Sequence, residues 1–307
     1  MKTDVLIIGA GPAGCAGALY TVRAGLKTVI LGGTSPGGQL LKTQDIENYP
    51  GFENPIGGFD LMEAMHKQCK RLGAELTRET ATKIETSEKP YKVHTKEGKI
   101  YTAKAIIIAT GSEARWLGIP SEEPYKNKGV SACATCDGFF FKGKEVVIVG
   151  GGNTAFEDAL FLAEICPKVT IVHRREGFRA ENVLIEKVKA NPKIEMKLCN
   201  VVDEILGDDK GITSIKIKDV TTEKISELKC EGIFVAIGSI PQTEFLKGSG
   251  VELEDDGHIK ADSKTKTNIE GIFAGGDCAD SVYRQAITSA GTGAQASLEV
   301  ISYINSL

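Results

Sequence analysis

A short apolar strand pattern running into a glycine turn occurs twice, and this repeat constrains the fold more than any other feature of the chain. The first copy is Val5-Leu6-Ile7-Ile8-Gly9-Ala10-Gly11-Pro12-Ala13-Gly14, and the second is Val146-Val147-Ile148-Val149-Gly150-Gly151-Gly152-Asn153-Thr154-Ala155. The 141-residue offset from Val5 to Val146 holds without a gap through a helix pattern and into a second strand. Those second strands are Thr28-Val29-Ile30-Leu31 and Val169-Thr170-Ile171-Val172. Each copy therefore reads as a β-α-β unit of dinucleotide-binding type.

The glycines have separate roles. Gly9 and Gly150 permit the tight turn, Gly11 and Gly152 let the main chain approach a pyrophosphate, and Gly14 and Ala155 seat the helix close on the sheet. Small residues continue along that helix face at i+4 steps, as Gly14-Ala18-Val22 and Ala155-Ala159-Ala163. The helix N-terminus that follows each turn offers free N–H groups and a positive dipole end to phosphates. The copies diverge where a ribose is read. His173 stands 23 residues past Gly150 and opens His173-Arg174-Arg175, with Arg179 after it; Gly32 stands 23 past Gly9 and opens Gly32-Gly33-Thr34. Arginines at this strand end favour a ribose 2′-phosphate and a carboxylate favours a 2′-hydroxyl, so the second unit is expected to prefer NADPH to NADH. The first unit lacks the acidic residue. It could hold the ADP half of FAD through main-chain groups of Gly32, Gly33 and Gly37-Gly38-Gln39.

After each unit come short alternating strands, near Tyr91 to Thr95 and Ile100 to Thr110, then near Ile212 to Asp219 and Cys230 to Gly238. A late strand, Gly271-Ile272-Phe273-Ala274-Gly275-Gly276-Asp277, reads as the return of the chain to its first domain. The expected fold class is α/β, with two Rossmann-like dinucleotide-binding domains, the second inserted into the first. The expected segments are 1–115 and 244–307 for the FAD domain and 116–243 for the NADPH domain. Their two crossings, near Ser112 to Trp116 and Ser239 to Glu244, could serve as a hinge.

Composition narrows the function classes. Thirty-five glycines in 307 residues, without a collagen period, mark turns and close approaches. A net charge of −4 argues against a nucleic-acid groove or a polybasic membrane surface. No run reaches the roughly 18 apolar residues of a membrane span, and a cytoplasmic protein is expected. Of eight cysteines, six are scattered singly, as in a reducing compartment. Cys133 and Cys136 form the C-x-x-C pair in Ser131-Ala132-Cys133-Ala134-Thr135-Cys136-Asp137-Gly138. A zinc site needs two more ligands, and neither a second C-x-x-C nor a spaced histidine pair is present, so no metal site is expected. Inert core cysteines and a reversible dithiol remain as readings. With two dinucleotide units in the same chain, the dithiol reading points to electron transfer through a flavin.

Taken together these motifs resemble the low-molecular-weight, bacterial-type thioredoxin reductases, within the pyridine nucleotide-disulfide oxidoreductases. The resemblance spans essentially the whole chain. It is carried by Gly9 to Gly14, Gly37-Gly38-Gln39, Glu47-Asn48-Tyr49-Pro50-Gly51, Cys133 to Gly138, Gly150 to Ala155, His173 to Ala180, Gly275-Gly276-Asp277 and Tyr283-Arg284-Gln285-Ala286, in the family's order. It implies FAD along the first domain, held by Gly9, Gly11, Pro12, Ala13, Gly14, Gly32, Gly33, Gly38, Gln39 and Asn48. Asp277 would lie on the ribityl side, and Arg284, Gln285 and Ala286 near the flavin ring. NADPH would be held by Gly150, Gly152, Asn153, Thr154, His173, Arg174, Arg175 and Arg179. The implied reaction runs from NADPH through FAD and a Cys133–Cys136 disulfide to thioredoxin, with Cys136 facing the flavin, Cys133 attacking the partner and Asp137 managing the proton. Because the dithiol and the NADPH site share one domain, the resemblance also implies rotation of that domain between half-reactions, and a homodimer. A related flavoprotein reducing another dithiol partner, or a flavin-binding redox sensor without turnover, are the alternatives.

Overall fold

The computed structural model describes residues 1–43 and 45–307. In chain order the elements are β1 (Lys2–Ile8), α1 (Pro12–Arg23), β2 (Thr28–Leu31), α2 (Gly58–Arg71), β3 (Glu75–Thr77), β4 (Ala81–Glu85), β5 (Tyr91–Thr95), β6 (Ile100–Ile108) and β7 (Ser112–Ala114). There follow β8 (Val130–Ser131), α3 (Ala134–Asp137), β9 (Glu145–Gly150), α4 (Asn153–Ile165), β10 (Lys168–His173), α5 (Asn182–Ala190), β11 (Ile194–Leu198) and β12 (Asn200–Asp208). The last are β13 (Gly211–Asp219), β14 (Ile225–Lys229), β15 (Gly232–Ala236), β16 (Ser239–Pro241), β17 (Ile272–Ala274) and α6 (Ala286–Asn305).

Two compact units result, Met1–Glu113 with Ile240–Leu307, and Ala114–Ser239. The unit boundaries fall within the ribbon formed by β7 and β16, a few residues before the expected 115/116 and 243/244. In the first unit the strand order is β3-β2-β1-β6-β5-β4, with β17 also paired to β6. The β3-β2-β1-β6 pairs and β17 are parallel, while β4 and β5 add antiparallel edges. In the second unit a wholly parallel sheet runs β11-β10-β9-β15-β8, and β12-β13-β14 form a separate antiparallel sheet. The repeat seen in the sequence is thus β1-α1-β2 and β9-α4-β10.

The strands read as continuous apolar runs because both faces are covered. Val5, Leu6 and Ile7 of β1, Ala105 to Ile108 of β6, and Ile148 of β9 are without solvent contact. Helix α1 opens on Pro12, whose missing N–H and preset φ suit the first helical position. Its small face does more than seat it on the sheet: it also lets α6 approach. A Cβ at Gly293 would lie 2.0 Å from the Ala13 carbonyl oxygen, and one at Gly17 would lie 3.3 Å from that of Gly293. Among the described residues no helix is long and apolar enough to cross a membrane.

The α1–α6 contact can be tested within one helix. Gly293→Ala forces main chain from main chain and is expected to destabilise the first unit by about 2 kcal/mol. Gly291→Ala, where a Cβ meets nothing within 4 Å, is expected to stabilise it by about 0.5–1 kcal/mol through helix propensity. Urea unfolding of both variants beside the parent protein checks the opposite signs.

Candidate active site

The C-x-x-C segment lies between a strand end and a short helix. Ser131 closes β8, Cys133 has extended backbone at the N-cap of α3, and Cys136 and Asp137 are in α3 itself. Cys133 and Cys136 are joined in a disulfide with Cα atoms 5.3 Å apart. Cys136 is exposed and Cys133 half-buried. The Ser131 hydroxyl donates to Asp137 Oδ2 at 2.5 Å and accepts the Cys133 N–H at 3.0 Å. Burial pushes the Asp137 carboxyl above the ordinary carboxylate range, and the Ser131 hydrogen bond draws it partly back. A disulfide with a carboxyl of raised proton affinity beside it can accept two electrons and exchange with a second disulfide.

The first glycine turn is built from close main-chain approaches. Gly9 has φ +115, and a Cβ there would lie 2.1 Å from the Ala109 carbonyl oxygen. At Gly14 it would lie 1.9 Å from that of Gly9. At Gly11, by contrast, a Cβ meets nothing within 4 Å. Gly11 is also the N-cap of α1, which has no side-chain cap and no acidic residue in its first turn. Open space, unpaired helix N–H groups and a positive dipole end coincide, which fits a pyrophosphate. Helix α2 braces the turn, since His66 Nε2 lies 2.8 Å from the Ala10 carbonyl oxygen.

The remaining first-unit candidates lie on several loops. Of the main-chain groups of Gly32 and Gly33, expected along the cofactor, the N–H groups already donate to Thr77 O and Glu79 O, each at 3.0 Å, leaving the carbonyls. Gly38 and Gln39 are exposed at the start of a 3-10 turn, Gly38 with φ +66. Asn48, far away in sequence, donates to the Gln285 side chain at 3.2 Å. Arg284 has φ +49, and Asp280 steadies its loop by accepting the N–H groups of Val282 at 2.8 Å and Tyr283 at 2.9 Å. Gln285 caps α6 in a reciprocal box with Thr288, and Ala286 is the first helical residue. Asp277 accepts from Ser289 at 2.6 Å; burial raises its carboxyl and Ser289 draws it back.

In the second turn Gly152 is likewise an uncapped N-cap with open space at its Cβ position. Gly150 does not need a left-handed backbone; a Cβ there would lie 2.3 Å from the Ala236 carbonyl oxygen. His173 packs onto the turn, and its ring would be 2.2 Å from a Cβ at Gly151. The Arg179 N–H donates to Gly151 O at 2.8 Å, and Asn153 exchanges hydrogen bonds with Glu181. Thr154 follows in the first turn of α4. Arg174, Arg175 and Arg179 are exposed, and among the described residues no carboxylate pairs with any of them.

Sequence reasoning missed Ser131, His66, Asp280 and Ser289. Ser131 was within the quoted motif, and Ser289 sits at helical spacing in the small-residue run of α6; for His66 no local signal exists. Cys15 and Cys69, read as single, meet across α1 and α2, where the Cys69 thiol donates to Cys15 O at 3.5 Å. Cys278 is fully buried, its thiol near the carbonyl oxygens of Ile108 and Gly275.

A sequence profile of the pyridine nucleotide-disulphide oxidoreductases matches residues 3–293. The chain is 50% identical to a thioredoxin reductase of Rickettsia felis, over 99% of each chain. It is 46% identical to a glucosaminate ammonia-lyase of Pseudomonas fluorescens, over 99% of this chain and 96% of the relative. A solved thioredoxin reductase of Giardia duodenalis superposes with a TM-score of 0.95 at 41% identity, covering 99% of both chains. That of Streptococcus pyogenes gives 0.93 at 39% identity, covering 100% of this chain and 99% of the other.

The raised Asp137 carboxyl has a consequence for stability. Folding favours its protonated form, so its contribution is fully present below the unfolded-state pKa of about 3.9 and is lost as pH rises through the folded value. Asp137→Asn is therefore expected to unfold at the same temperature as the parent near pH 3.5 and at a higher one at pH 8. Calorimetry of the disulfide form at both pH values checks it; an equal offset at both would refute the burial argument.

Proposed function

The chain belongs to the pyridine nucleotide-disulphide oxidoreductase family, and we propose that within it the chain is a thioredoxin-disulfide reductase using NADPH and FAD. The observation that carries this reading is the Cys133–Cys136 disulfide with the half-buried Asp137 beside it, in a chain with two dinucleotide turns. When bound, FAD supplies the two-electron relay between NADPH and a disulfide.

The chain's own residues divide the remaining work. Gly9, Gly11, Pro12, Ala13 and Gly14 hold the FAD pyrophosphate at the α1 start. Gly32, Gly33, Gly38, Gln39 and Asn48 lie along the cofactor, with Asp277 at the ribityl hydroxyls and Arg284, Gln285 and Ala286 toward the ring. Gly150, Gly152, Asn153 and Thr154 hold the second pyrophosphate, while His173, Arg174, Arg175 and Arg179 read the 2′-phosphate. Once reduced, Cys133 attacks one sulfur of the thioredoxin disulfide as a thiolate, and Asp137 protonates the sulfur that leaves. Cys136 then attacks Cys133, which releases the second thioredoxin sulfur and restores the disulfide. The crossings at β7 and β16 would accommodate a rotation of the inserted domain between half-reactions. The reading also carries a homodimer in the cytoplasm, and sedimentation would then report twice the chain mass.

The FAD-loaded protein is expected to oxidise NADPH steadily only when thioredoxin is present. Cys133→Ser and Cys136→Ser should each lower that turnover by about 1,000-fold or more yet leave flavin reduction by NADPH intact. Cys136→Ser should trap thioredoxin as a mixed disulfide and Cys133→Ser should not, a test of which thiol attacks. Ammonia release from glucosaminate, or flavin binding without thioredoxin-dependent turnover, would overturn the reading in favour of a lyase or a sensor. Arg174→Ala and Arg175→Ala should raise the KM for NADPH by about 10- to 100-fold and leave that for NADH unchanged.

A further inference from the structure

We propose that Ser131 is a positioning residue for the disulfide exchange, its hydroxyl linking Asp137 to the Cys133 main chain and turning between two acceptors as Asp137 loses and regains its proton. The inference rests on the reductase reading for the proton's purpose, but its geometry stands within one unit. Ser131 Oγ lies 2.5 Å from Asp137 Oδ2 and 3.3 Å from the Cys133 carbonyl oxygen, and it accepts the Cys133 N–H at 3.0 Å. The serine is 7% exposed, so water is a poor substitute for any of these partners.

A serine hydroxyl has one hydrogen and two lone pairs. The Cys133 N–H takes one lone pair, which leaves one hydrogen facing two oxygens. With Asp137 ionised, the hydrogen points at Oδ2, the shorter and charge-assisted contact. With Asp137 protonated, the carboxylic acid donates into the second lone pair and the serine hydrogen turns to the Cys133 carbonyl. Each state leaves no donor unpaired, and the change between them needs only rotation about one C–O bond. Asp137 can therefore release and recover a proton without moving the main chain that carries Cys133.

Few other groups bear on this carboxyl. The 3-10 turn Gly138–Phe141 packed on α3 carries no charge, with Lys142 just beyond it, and the neighbouring α4 carries Glu157, Asp158 and Glu164. Burial and then Ser131 account for the shift of Asp137; none of these charges does. Cys133 and Cys136 join the titrating set once reduced.

The test compares Ser131→Ala, Ser131→Thr and Ser131→Val, the last two alike in shape and different in the hydroxyl. In the FAD-loaded enzyme, thioredoxin-dependent turnover is expected to fall as pH rises and Asp137 loses its proton. Without the serine donor the ionised carboxylate is less stable, so Ala and Val should move that limb up by about one pH unit, while Thr retains the parent profile. A second readout needs neither NADPH nor thioredoxin: after chemical reduction with a phosphine, the pH profile of Cys133 alkylation by iodoacetamide should shift down in Ala and Val and not in Thr, because a carboxyl that stays neutral to higher pH repels the Cys133 thiolate less. If Ala does not fold, the Thr–Val pair decides. Unshifted profiles in Val, or a Thr variant that shifts as far as Val, would overturn the proposal. Failure of the parent enzyme to turn over thioredoxin would instead sink the reductase reading and leave the alkylation test of Ser131 standing.

Discussion

Main chain packed directly on main chain at the first glycine turn is the constraint from which the first unit is built. Gly9 stands against the Ala109 carbonyl, Gly14 against that of Gly9, and Gly293 against that of Ala13, each at a separation that admits no side chain. These approaches draw α1 onto the ends of β1 and β6 and draw α6 onto α1. They also leave the start of α1 without a capping side chain, so its N–H groups and dipole remain available to an anion.

The second copy meets the same requirement by other means. Gly150 keeps an ordinary backbone conformation and yields its space to Ala236 of β15 and to Ala155, which can therefore be alanine where the first copy has Gly14. Its turn is then overlaid by His173, and the Arg179 N–H ties the basic segment back to Gly151. In the first copy the matching strand end is sealed by Gly32 and Gly33, which pair with Thr77 and Glu79 and present no side chain at all. One supersecondary pattern thus ends in a charged, exposed segment in one place and in a neutral segment paired through its main chain in the other.

Much of this was legible because it is local. The β-α-β units, the strand ends at Ile108 and Ala236, and the returning strand at Ile272 all announce themselves by apolar runs stopped by glycine. The C-x-x-C pair and Asp137 lie within five residues of one another, and the structure joins the two cysteines in a disulfide. What could not be read was pairing across long separations: Asn48 with Gln285, His66 with Ala10, Cys69 with Cys15. Such contacts depend on which helix faces which loop, and no periodicity in the chain encodes that. Ser131 is a different case. It was in view, but a serine beside a strand end has many ordinary uses, and only the three oxygen and nitrogen distances single it out.

The placement of the proton-handling groups follows from what a relay between separate binding units demands. A carboxyl contributed by another unit would keep its distance to the sulfurs only while that unit stayed still. Here Ser131, Cys133, Cys136 and Asp137 lie within a span of seven residues in one compact unit, joined by hydrogen bonds of 2.5 to 3.3 Å and a disulfide. They are carried by β8 and α3 of the same unit, so acid and sulfurs would travel together through any rearrangement at the β7 and β16 crossings. Burial raises the carboxyl's hold on its proton, and the adjoining hydroxyl limits how far that burial can raise it. A site assembled this way can exchange electrons in one setting and protons in another without moving the main chain that carries its sulfurs.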